Sequence, residues 1–200
     1  MGAETLAAIA VALGAGWASG FNAYAAVLVL GGAQRLGLVS LSPDLQVLSS
    51  SWVMGVAATL FLLNFLADKI AFIDSINDML QTFVRIPAGA LLAYGAAAGV
   101  SPEVAAIAGL LGGTLAAGTH VAKTGSRALI NTSPEPFSNV AASLAEDVGV
   151  VGGLALAIAH PITFLCLLAV FVGLLVWLLP KLVRLALLPF RRVVGARQKP

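Results

Sequence analysis

Charge is what this sequence has least of: 10% of its 200 residues are charged, against 60% that are hydrophobic. A soluble domain carries about 25% charged residues, so a chain this poor in them could not cover its own surface in water. With a mean hydropathy of +0.99, its apolar residues must face lipid. Cysteine is nearly missing as well. Cys166 stands alone, which excludes an internal disulfide and a cysteine-rich metal site. No Lys or Arg precedes the first apolar run, whereas Glu4 does, so a cleaved signal peptide is not expected. The sequence also has no Gly-x-Ser-x-Gly elbow, no His-Glu-x-x-His and no phosphate loop. It gives no reason to expect an enzyme, a cofactor or a bound metal.

What remains is a set of long apolar runs. A span needs roughly 20 mostly apolar residues, and six candidates qualify: Leu6–Leu30, Val47–Leu66, Met79–Val100, Val104–Val121, Val140–Ala159 and Ile162–Leu179. Pro43, Pro102, Pro134, Pro161 and Pro180 punctuate the gaps, where helices end. The expected fold is all-α, a polytopic transmembrane bundle of about six spans in one domain over 1–180. A basic amphipathic tail over 181–200 alternates cations with Leu, Ala and Phe and suits the anionic inner leaflet, not nucleic acid. With both termini cytoplasmic, only Arg35 of the eleven Lys and Arg residues falls outside. This cation bias orients the chain in a cell (inner) membrane.

Two stretches resemble each other. Gly14 to Asn22 lines up with Gly112 to His120, and Leu66-Ala67-Asp68-Lys69 with Leu144-Ala145-Glu146-Asp147. Three spans per half would make the halves inverted, as in many transporters, with the first helix broken. Glycines four apart (Gly16 and Gly20, Gly109 and Gly113, Gly149 and Gly153) let helices approach closely. They serve packing within one chain or a homodimer equally well.

The few polar residues inside these runs carry the functional argument, because ionisable groups in a bilayer face a partner or a water-filled cavity. Ser19, Asn22 and Tyr24 surround Gly20 in the middle of the first span, where a broken helix could bind substrate. His120, Lys123, Thr124, Arg127 and Asn131 share one helical face by spacing and suit an anionic group or simple anchoring. Asn139, Ser143, Glu146 and Asp147 bring adjacent acids into the fifth span. They could carry a coupling ion, or merely pair with Lys123 and Arg127. Asp68, Lys69, Asp74 and Asp78, followed by Arg85, form the last group, which is either solvated or dips inward.

Together, Ser19 to Tyr24, Arg35-Leu36-Gly37, Ala67-Asp68-Lys69 with Asp74, Arg85 to Gly89, Lys123, Arg127, Asn131 to Pro134, Asn139 and Ser143 to Asp147 resemble the bacterial domain of unknown function 4126 family. That family's pattern sets Arg beside Pro where this chain has Arg85-Ile86-Pro87. The resemblance implies a small multi-pass membrane protein and no particular activity. The expectation is a transporter or channel for a small solute or ion. Ser19, Asn22, Tyr24, His120, Lys123, Arg127 and Asn131 would bind substrate. Asp68, Lys69, Asp74, Asn139, Ser143, Glu146 and Asp147 would carry a coupling proton or cation. Its rivals are a lipid-phosphate translocase, a metal-dependent membrane enzyme and a structural subunit.

Overall fold

A computed structural model describes residues 2–130 and 137–196, with side chains for all of these except residues 71, 72, 75, 128, 179 and 182–196. Asn131, and all but Lys181 of the tail's side chains, lie outside that description. The described residues form six α-helices: α1 (Ala3–Arg35), α2 (Ser51–Ala67), α3 (Ala71–Ala97), α4 (Pro102–Ile130), α5 (Phe137–Ala159) and α6 (Pro161–Ala196). A 3-10 helix, Pro43–Ser49, leads into α2 at an angle of 64°. Each expected span corresponds to a helix. Among the described residues four helices, α1 included, are long and apolar enough to cross a membrane by length and composition, or five with the bent pair counted as one. Large apolar side chains point outward all round, Trp52, Phe83, Leu110, Val148 and Trp177 among them. The protein is an all-α membrane protein.

α1 is broken, as the weak Ser19–Tyr24 stretch suggests. Asn22 adopts φ −155° and ψ 99°, extended values inside a helix. Its Oδ1 accepts the N–H of Ala25 at 3.1 Å, which makes Asn22 the N-cap of the second half-helix.

The break reverses the chain. In the first half of α1, Gly14 lies against Leu154, Ala157 and Phe164, Gly16 against Gly112, and Ser19 donates to the carbonyl of Arg85. The second half runs back. Tyr24 meets Gln81, Gly31 packs on Leu48 and Met54, and the 3-10 helix reaches Gly95 through Leu45 and through the hydroxyl of Ser42. Ala12 packs with Ala93 and Ala97 in the same end of the bundle. Residues 3 and 35 therefore lie on one face, and the broken span expected over Leu6–Leu30 doubles back as a helical hairpin instead of crossing.

Small residues allow α1, α3 and α4 to cross closely at the centre. A Cβ on Gly16 would come 2.5 Å from Gly112 Cα, and one on Gly20 would come 2.5 Å from the carbonyl oxygen of Ala116. The spacing of Gly16 and Gly20 is used here within the chain. The segments that suggested a repeat, 14–22 and 112–120, touch along their length and run in the same direction, whereas inverted halves would set them antiparallel.

Candidate functional site

Five helices deliver polar side chains to one end of the bundle. α2 is capped at its C-terminus by Asp68, α3 begins just before Asp74, α4 reaches His120, Lys123 and Arg127 toward its end, and α5 carries Asn139 to Asp147 in its first half. The break in α1 closes the group from the core. Asp147 lies ten residues into α5, about 15 Å from its start at 1.5 Å per residue, so the site reaches from one end of the bundle to the middle of α5.

Lys123 joins the elements. Its Nζ lies 2.8 Å from Asp68 Oδ2, 3.3 Å from Glu146 Oε2 and 3.7 Å from Asp78 Oδ1. Arg85 donates to Asp78 Oδ1 at 2.8 Å and to Asn64 Oδ1 at 3.3 Å. Arg127 uses its fork on Glu146, with Nε donating to Oε1 at 3.2 Å and Nη2 to Oε2 at 2.7 Å. Its remaining nitrogen donates to the carbonyl and side-chain oxygens of Asn139. A planar guanidinium with five donors suits such a junction. Lys123, Arg85 and Arg127 are each at most 2% exposed, so their charges are stable only because each meets a carboxylate.

The amides complete the network. Asn64 donates to Asp68 Oδ2 at 3.1 Å, Asn77 donates to Asn64 and Asp68, and Asn139 donates to the carbonyl of Asp68 at 2.9 Å. Asn22 donates to Asp147 Oδ1 at 3.0 Å. The amino end of the second half-helix of α1 thus faces a carboxylate, the favourable sense for a helix dipole. Lys69 donates to the carbonyl of Phe65 at 3.0 Å, lies over the Phe65 ring and is 3.5 Å from Ser143 Oγ.

The neutral tautomer of His120 follows from its neighbours. Arg85 Nη1 can only donate, and it lies 3.2 Å from His120 Nδ1, so that nitrogen accepts. The ring proton then sits on Nε2 and points to Thr82 Oγ1 at 2.7 Å. The Thr82 hydroxyl in turn donates to the carbonyl of Asp78 at 3.2 Å. A cavity of about 410 Å³ opens between α3 and α4, lined by Asp78, Met79, Thr82, His120, Val121, Thr124 and Arg127.

Substrate and coupling residues expected at separate places thus fall into one constellation. Asn22, His120, Lys123 and Arg127 share it with Asp68, Lys69, Asn139, Ser143, Glu146 and Asp147, and Asp74 is buried beside Asp78 and Asp68. Ser19 and Tyr24 flank it, Ser19 on the Arg85 carbonyl and Tyr24 accepting from Gln81 Nε2 at 3.3 Å. The expected anion-binding face is turned to other work, since Lys123 and Arg127 are engaged by the protein's own carboxylates. Sequence reasoning overlooked Asn64, Asn77, Gln81 and Thr82. Asn64 could have been found, as a lone amide in Leu62-Leu63-Asn64-Phe65 four residues before Asp68.

Carboxylate oxygens of Asp68, Asp74 and Asp78 lie within 4.8 Å of one another, a spacing that by itself would suit a cation. Asp68 and Asp78 are, however, compensated by Lys123 and Arg85 in direct contact. The chemistry on offer is a dense set of ion pairs rather than a nucleophile with a base.

No curated protein and no solved structure matches the chain. The pattern of one family, described as a domain of unknown function (DUF4126), matches residues 9–181, and the chain belongs to that family.

Proposed function

We propose that this protein moves a small solute or ion across the membrane in a cycle coupled to a proton or small cation taken up by the buried network. One observation carries the reading. Among the described residues, Asp68, Asp74, Asp78, Glu146 and Asp147 supply five carboxylates to this end of the bundle, against four cations, Lys69, Arg85, Lys123 and Arg127. With His120 neutral the set is one positive charge short. Membrane-embedded charge with that imbalance favours uptake of one proton or monovalent cation, and such groups are typical of ion pathways. Asp147 Oδ2 is buried without a hydrogen-bond partner, which supports a site poised to take up positive charge. A structure-only role for the charges would be served as well by full neutrality.

The half-helices meeting at Asn22 support the same reading, since transporters commonly build ion and substrate sites at discontinuous helices. With the network end cytoplasmic, Lys181 and the cations after it are inside and Arg35 is outside, in keeping with cation bias. α2 to α6 then make five crossings. α1 enters and leaves on the outer side, in place of the expected crossing from a cytoplasmic amino end.

Proteoliposomes loaded with a pH-sensitive dye, under an imposed potassium diffusion potential, test the proposal. Proton entry above that of empty vesicles is expected, falling to the empty-vesicle rate in Asp147→Asn and Glu146→Gln. If both variants fold and conduct as the parent does, the network is not the coupling site.

A further inference from the structure

The cavity between α3 and α4 has a feature that the ion pairs leave unexplained. Asp78 is one of its walls and is only 3% exposed. Its Oδ1 holds Arg85 at 2.8 Å and lies 3.7 Å from Lys123, while its Oδ2 has no hydrogen-bond partner. Gln81 Oε1, Arg85 Nε and Thr119 Oγ1 are also buried and unpartnered, on the same two helices but outside the cavity's lining. Asp78, Gln81 and Arg85 follow one another on a single face of α3 by spacing. Buried polar atoms are almost always satisfied by protein or water, and the cavity that Asp78 lines is large enough to hold water against its free oxygen.

We propose that this cavity is the proton entry to the network and that Asp78 Oδ2 is its acceptor. A hydronium ion in the cavity gives its proton to Oδ2, leaving water and a neutral aspartic acid. The gain of that proton removes the charge that holds Arg85 and weakens the pull on Lys123. Thr82 and His120 position the wall, through the Arg85, His120 and Thr82 hydrogen-bond chain described above. A metal ion fits worse than a proton. It would need several oxygen ligands, and it would lie beside an ammonium and a guanidinium already in contact with the same carboxylate. The groups facing Asp78 are Arg85 and Asp74 from α3, Asp68 from α2, and His120, Lys123 and Arg127 from α4, with Glu146 of α5 beyond Lys123.

The inference names the ion and the entry point for the transport reading above, and rests on it. Infrared difference spectra of the full-length protein in lipid, with carboxyl-labelled aspartate and a pH titration, test it without requiring transport. A labelled carbonyl band of protonated aspartic acid should grow as pH falls, equally in sodium and in choline buffer. The Asp78 share of the band should be lost in Asp78→Asn, leaving only what the other aspartates contribute. In Asp78→Glu, which keeps an acid, the same share of the labelled band should give way to an unlabelled one, so the test survives if the amide variant does not fold. Met79→Trp, which fills the cavity, should slow deuterium exchange of the band without removing it. A band unaltered by either Asp78 change, or abolished by sodium, overturns the proposal. An Asp78-dependent band with no proton flux would leave this site standing and remove the transport reading; flux with an Asp78-independent band would do the reverse.

Discussion

Asn22 at the break of α1 and Asp147 on α5 are joined by a 3.0 Å hydrogen bond from Nδ2 to Oδ1, across 125 residues of sequence. The same Asn22 side chain caps the second half-helix through its oxygen. One amide thus fixes both the reversal of the chain and the orientation of a half-buried acid. The place where the fold turns is also where its charge network begins.

Asn22→Ala removes the cap and leaves Asp147 with neither oxygen hydrogen-bonded. Loss of a cap costs about 1 kcal/mol, and a buried acceptor left unsatisfied costs roughly 1–3 kcal/mol more. Thermal melting in detergent should show a clear fall in midpoint. Asn22→Asp, which sets two carboxylates face to face, should fall further. A parent-like melt for both would mean that the link does not hold the hairpin.

Close approach at the centre gives a second expectation. Gly16→Ala and Gly20→Ala each drive a methyl into the backbone of α4, at 2.5 Å from Gly112 Cα and from the Ala116 carbonyl oxygen respectively. Backbone cannot swing aside, so overpacking should cost about 1–3 kcal/mol. Gly149→Ala and Gly152→Ala meet nothing within 4 Å. They should be neutral or gain up to about 1 kcal/mol in helix propensity. Comparing the four melting points separates packing glycines from incidental ones.

Lys123 offers the sharpest stability contrast. Lys123→Met leaves Asp68, Glu146 and Asp78 short of a buried counter-charge, and breaking a buried pair typically costs about 3–5 kcal/mol. Adding Asp68→Asn to it should recover part of the loss. The coupling shows in a double-mutant cycle on the melting transition. Additive losses would mean that the 2.8 Å pair does not act as a unit.

The hairpin makes a topological prediction. In a Cys166→Ser background, single cysteines at Glu4 and at Arg35 should react with an impermeant thiol reagent from the same side of the membrane. A cysteine at Lys181 should react from the other side. Labelling of the Glu4 and Lys181 positions from one common side would restore the first helix as a crossing.

Much of this was legible in the sequence, for physical reasons that can be named. Apolar runs of membrane length mark helices because lipid leaves backbone groups no other partner. The pairing of Glu146 with Lys123 and Arg127 could be anticipated because embedded acids need nearby cations. The weakness at Gly20 and Asn22 marked a break. Its consequence was hidden, since a run that doubles back has the same composition as one that crosses. Cation bias could not help either: the first Lys or Arg is Arg35, which lies outside in both arrangements. Gln81 and Thr82 were overlooked because their role depends on Tyr24 and His120, brought beside them only by the tertiary fold.

Proton flux into vesicles under an imposed potential tests the central claim most directly, with the parent protein compared to Asp147→Asn and Glu146→Gln at matched incorporation. Flux in the parent that returns to the empty-vesicle rate in both variants, with melting transitions still cooperative, is the predicted result. A parent no faster than empty vesicles, or folded variants as fast as the parent, would contradict the account and leave the network as a structural clasp.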